Sequence, residues 1–137
     1  MTDDGPVVGL AIDAVDSAAL ARFWAQAIDY VEVGAKGDYV MLVPNGRDGP
    51  RLLIQQVPEP KTAKNRMHLD IDAADIEREA ARLEALGATR IRPEPVREYE
   101  TTWIVMADPE GNEFCVCDAI HQPDLGQSGP GSDEPAG

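Results

Sequence analysis

Residues 66–72, Arg66-Met67-His68-Leu69-Asp70-Ile71-Asp72, set an imidazole between a guanidinium and a carboxylate at alternate positions. Met67, Leu69 and Ile71 are apolar, while Arg66, His68, Asp70 and Asp72 are polar. A period of two predicts a strand with one buried face and one polar face. Imidazole exchanges protons near neutral pH, so His68 suits a general base as well as a metal ligand. It equally suits a cavity histidine hydrogen-bonded to Asp70, Glu113 or a ligand. A second alternating stretch, residues 112–118, carries Glu113, Cys115 and Cys117. The cysteines stand at i and i+2, which in a strand puts them on one face roughly 6.5–7 Å apart. A disulfide needs Cβ atoms about 3.8 Å apart, so both should be free thiols, as a reducing compartment favours. They are either small half-buried filler or, beside a cation such as Arg66, reactive. Lys61, Lys64 and Arg66 form a basic cluster that either draws an anionic ligand or is a solvated linker.

Other chemistry is absent. The chain contains no Walker loop, no dinucleotide fingerprint and no Gly-x-Ser-x-Gly elbow, which argues against a nucleophilic hydrolase. A length of 137 residues favours one domain, and 43% hydrophobic residues suffice for a core. The net charge of -13 argues against nucleic acid and anionic membrane surfaces as partners. No apolar run reaches the ~20 residues that span a bilayer. The acidic start Met1-Thr2-Asp3-Asp4 lacks the pattern of a signal peptide, so a cytoplasmic location is expected.

The elements that must position these residues follow a repeated order. Residues 7–13 read as a strand, with Val8, Leu10 and Ile12 on one face. Asp16 caps a helix over 17–28 whose apolar stripe is Leu20, Phe23, Trp24, Ala27 and Ile28. Strands follow at 30–33, 38–43 and 51–57, with turns at 34–37 and 44–50. After Pro58-Glu59-Pro60 the order recurs: a strand at 66–72, then a helix over 74–86 with Ile76, Ala80, Leu83 and Leu86 on one face. Gly87 closes that helix. Strands at 89–96, 102–107 and 112–118 complete the second copy. Asp16 and Asp75 stand at the same offset as Val7 and Arg66, so the chain is two β-α-β-β-β modules. Trp103 either lines a ligand surface or is core, because residues 102–107 are apolar on both faces.

Those tandem modules, the helix start Asp16-x-x-x-Leu20-Ala21-Arg22-Phe23-Trp24, and Asp108-Pro109-Glu110-Gly111-Asn112 before the last strand resemble the vicinal oxygen chelate superfamily. Residues 57–70 are similar to its glyoxalase-like branch. The resemblance covers residues 7–119. It implies an α+β fold: tandem βαβββ modules forming a curved eight-stranded cup, with helices on the convex face. The expected organisation is an N-terminal extension 1–6, module one 7–57, a linker 58–65, module two 66–121 and a disordered tail 122–137. A homodimer is also implied. His121, at the start of the tail, reads as a surface residue.

Metal-using members place four ligands on the first and last strands of each module. The matching positions here are Gly9, Gln55, His68 and Cys115. Gly9 offers no side chain. The remaining set, His68, Gln55 and Cys115, suits zinc better than Mg²⁺ or Mn²⁺. The first expectation is therefore a small-molecule-binding protein of the bleomycin-resistance type without a cofactor. Its ligand would meet Arg66, His68, Asp70, Gln55, Trp103, Glu113 and Cys115. The alternative is a metal-dependent lyase, isomerase or dioxygenase acting on a small oxygenated substrate. There His68 and Glu113 would be catalytic, and His68, Gln55 and Cys115 would hold a divalent metal, zinc first.

Overall fold

The computed structural model describes residues 6–118. His121 and the tail 122–137 lie outside the described residues. The chain divides into two compact units. One holds the described residues up to Ala63 together with Asp108–Gly111; the other holds Lys64–Ala107 and the described residues from Asn112 on.

In the first unit, strand β1 is Leu10–Ala14, helix α1 Ser17–Ala27, β2 Tyr30–Lys36, β3 Tyr39–Pro44 and β4 Leu52–Gln56. The sheet order is β1-β4-β3-β2, with β1 parallel to β4 and the other pairs antiparallel. Asp16 caps α1, its side chain accepting from the Ala19 N–H. Leu20, Ala21, Phe23, Trp24 and Ala27 bury the apolar stripe. They pack over the same-face strand residues Val40, Leu42, Leu52 and Ile54, all buried. The rings of Phe23 and Trp24 meet edge to face at 5.2 Å.

In the second unit, β5 is Leu69–Ala73, α2 Ile76–Leu86, β6 Thr89–Arg90, β7 Val96–Glu98, β8 Thr101–Ala107 and β9 Glu113–Asp118. The sheet order is β5-β9-β8-β6, and β7 also pairs with β8. Asp75 caps α2 by accepting from the Arg78 N–H, and Gly87 ends it at a φ of 124°, where a side chain would be strained. Ala80 and Leu83 pack on Ile104, Met106, Phe114 and Val116. Each such large side chain contributes roughly 1.5–3 kcal/mol on burial.

The tandem order holds, with five corrections. Among the described residues strand pairing gives nine strands rather than eight, four in the sheet of the first unit and five in that of the second. The strand expected over 89–96 is broken into β6 and β7, because Pro93 and Pro95 have no N–H for the ladder. β1 starts at Leu10, leaving Val7 and Val8 80% and 71% exposed, since its partner ladder begins only after Pro50. β5 starts at Leu69: Arg66 and Met67 lie in a bend, Met67 is 79% exposed rather than core, and the Glu113 carbonyl accepts from the Asn65 side chain. Finally, β2 runs on to Lys36 through a register shift between Glu32 and Gly34, and the turn falls at Gly37, with φ 58°.

Candidate functional site

The second sheet has one face against α2 and one face free of it. Alternation decides which side chains reach the free face. On β9 these are Glu113, Cys115 and Cys117, while Phe114 and Val116 go to the core. The antiparallel register pairs Trp103 with Cys117 and Val105 with Cys115, so Thr101, Trp103 and Val105 share that face. Ile104 and Met106, fully buried, take the other. This settles Trp103 as a lining residue. The parallel register sets Asp70 beside Cys115. His68 enters from the residue just before β5.

These side chains, with Lys64, Glu98 and Tyr99, line a cavity of about 490 Å³. Glu98 and Tyr99 come from the β7–β8 hairpin. Its turn residues Tyr99 and Glu100 both have positive φ, 53° and 63°. That is the conformation of a tight primed turn, usually made by Asn-Gly. The hairpin was not expected from the sequence, because Tyr99-Glu100 carries no such signal.

Two polar contacts join side chains of the cavity. His68 Nε2 lies 3.1 Å from Asp70 Oδ1. Lys64 Nζ donates to Glu113 Oε1 at 2.8 Å. Lys61 donates to the carbonyl of Ala63. Both cysteines are free and buried. Burial pushes the Cys115 thiol up to about 11, helped by the Asp70 charge. Burial and Asp70 push Cys117 up to about 12. Each therefore stays protonated at neutral pH and is a poor nucleophile.

His68, Asp70 and Cys115 offer a nitrogen, an oxygen and a sulfur all within 4.8 Å of one another. Of the expected ligands, His68 and Cys115 are thus brought together, with Asp70 beside them. Gln55 belongs to the first unit, on β4, in register with Asp13 and Tyr39. Arg66 is exposed and does not line the cavity. At Gly9 the Arg51 guanidinium covers the backbone: an added Cβ would lie 2.6 Å from Arg51 Cζ.

The turn Asp108-Pro109-Glu110-Gly111 belongs to the first unit. Asp108 accepts the Trp24 indole N–H at 2.9 Å, and the Glu110 carboxylate accepts from the N–H groups of Val15 and Asp16. These hydrogen bonds give the turn a structural role.

A family model described as a glyoxalase-like domain matches residues 9–117. A search of curated proteins returned no match. Among solved structures, the chain is similar to a glyoxalase/bleomycin resistance protein/dioxygenase family enzyme from Burkholderia phytofirmans. The TM-score is 0.67 at 19% identity, covering 82% of this chain and 98% of that one. The fosfomycin resistance protein FosX from Listeria monocytogenes, in complex with Mn(II) and 1S,2S-dihydroxypropylphosphonic acid, matches with a TM-score of 0.67 at 14% identity, covering 85% and 91%. FosX from Mesorhizobium loti gives 0.64 at 21% identity, covering 85% and 92%. At these identities the likeness is one of fold.

Proposed function

The chain belongs to the glyoxalase-like family of the vicinal oxygen chelate superfamily, and on that premise we propose that its second unit binds a small molecule in the manner of bleomycin-resistance proteins, with little or no metal-dependent catalysis. The observation that carries this reading is the cavity of about 490 Å³, walled by Trp103 and Val105 and edged by carboxylates and a histidine. Ligand sites are typically clefts of roughly 300–1,000 Å³ with apolar walls and a few convergent polar groups.

The four-strand metal set that the resemblance implies does not fit these residues. Gly9 supplies no donor, and a guanidinium occupies the space its side chain would take. The test is direct. The chain has two tryptophans, so the indole N–H signal of Trp103 can be assigned with a Trp103→Phe variant and followed in a fragment and metabolite screen. Ligands that shift that signal and are lost in the variant support the reading. A screen that leaves it unmoved overturns it.

A second reading, a metal-dependent lyase, isomerase or dioxygenase, is favoured by the His68, Asp70 and Cys115 cluster. That mixed donor set suits zinc over the harder Mg²⁺ or Mn²⁺. These three would hold the ion, whose contribution is Lewis acidity. Glu113, on the same face of β9, would be placed to take a substrate proton.

We also propose a homodimer and a cytoplasmic location. The first rests on the edge strand β2, which exposes Val31 and Val33, an apolar edge that a second copy would cover. Light scattering at micromolar concentration should give twice the chain mass; a monomer would count against it. The second rests on the free thiols. No helix among the described residues is long and apolar enough to cross a membrane.

A further inference from the structure

We infer that the cavity selects an organic cation, an ammonium or amidinium carried on an aromatic or aliphatic body, over an anion of the same shape. The inference rests on the proposed binding role and adds the class of ligand.

Charge comes first. Among the described residues three carboxylates line the cavity, those of Asp70, Glu98 and Glu113, against a single ammonium, Lys64, and the His68 imidazole, whose Nε2 lies 3.1 Å from Asp70 Oδ1. That ammonium is committed to Glu113 at 2.8 Å, and its side chain is 79% exposed, turned largely to solvent. No arginine is among the lining residues, so the forked donor that recognises carboxylate or phosphonate is missing. An anion such as the phosphonate bound to the Listeria FosX would have to displace Glu113 from Lys64 and lie beside Asp70.

Asp70 stands in register with Cys115 and Asp72 with Cys117, so carboxylates flank both thiols of this sheet face. The net charge of -13 extends the same sign outward and favours the approach of cations.

The walls fit the rest of such a ligand. Trp103 on β8 lines the cavity beside Val105, and Tyr99, 90% exposed on the hairpin, stands at its edge. Aromatic faces attract cations, with Trp the strongest, by about 0.5–2 kcal/mol depending on desolvation. The protonated thiols contribute soft, uncharged surface. Carboxylates with an aromatic wall are a cation's site; neither feature helps an anion.

The test uses three probes of one shape: benzamidinium, benzamide and benzoate. Each is titrated into the full chain while the Trp103 indole signal is followed. Benzamidinium should bind about tenfold or more tighter than benzoate, the factor expected of one partly screened charge contact. Rising salt should weaken it. Asp70→Asn and Glu98→Gln should each narrow the gap, and unchanged dispersion of the amide spectrum would show that they fold. Benzamide or benzoate binding as tightly as benzamidinium overturns cation selectivity and leaves the binding role standing. If none of the three moves Trp103 while the broader screen finds a ligand, cation selectivity falls alone. If neither finds one, both fall.

Discussion

Cys115 and Cys117 show how position alone changes a side chain's chemistry. Both sit on the free face of β9, yet each is buried by its neighbours and faces Asp70. Their folded values, about 11 and about 12, exceed the roughly 8.5–9 of an unfolded cysteine. A raised value means the folded state holds its proton more tightly. The stability this contributes is complete below about pH 9 and is lost as pH rises through 11 and 12. Two results are expected. Iodoacetamide should alkylate the folded chain far more slowly at pH 8 than the denatured chain. Denaturant melts should show stability falling from pH 8 to pH 10.5, with a shallower fall in a Cys115→Ala, Cys117→Ala variant. Equal slopes for the two proteins would refute it. Asp108 makes a different point. It is 3% exposed and accepts both the Trp24 indole N–H and the Glu110 backbone N–H at 2.9 Å. Asp108→Ala removes the acceptor and should lower stability by roughly 1–3 kcal/mol in urea unfolding, more than Asp108→Asn.

At the scale of elements, the β7–β8 hairpin carries backbone strain. Tyr99 and Glu100 both take left-handed φ angles, which side-chain-bearing residues adopt at a cost of order 1–3 kcal/mol. Tyr99 lines the cavity, so its retention there has a use; Glu100 does not line it. Glu100→Gly should therefore raise the melting temperature, by about 1 kcal/mol of stability once the extra freedom of unfolded glycine is counted. Ligand shifts at Trp103 should be unchanged. A lower melting temperature would mean that the turn is held by contacts of the Glu100 side chain. The two helices are simpler. Each starts at an aspartate cap and buries one stripe, so their limits follow from local chemistry.

For the whole molecule, the main question is whether folding is linked to a metal. The proposed function predicts that it is not. Chelator treatment of the purified chain should leave its melting temperature unchanged, because only a ligand of the folded state shifts it. A rise with stoichiometric Zn²⁺ that disappears in His68→Ala would promote the second reading, with Asp70 and Cys115 as the other ligands. The family match shows the fold and says less about chemistry. Within one fold, the donors on a few strand positions decide whether an ion is held.

The module order, both helix caps and the two alternating faces of β9 are legible in the order of the amino acids alone. These depend on residues only a few positions apart: a stripe at i, i+3, i+4, or an alternation of Glu113, Cys115 and Cys117 with Phe114 and Val116. The start of β5 was not legible, since a strand begins where its partner can pair, and Met67 has alternation without a partner. Nor was the face of Trp103, because residues 102–107 are apolar on both sides; only the register with β9 chose it. The ion pair of Lys64 with Glu113 and the company of Asp70 with Cys115 join residues far apart in the chain. Strand pairing alone brings such groups within hydrogen-bonding or metal-ligating distance, so the character of the site was a property of the tertiary structure.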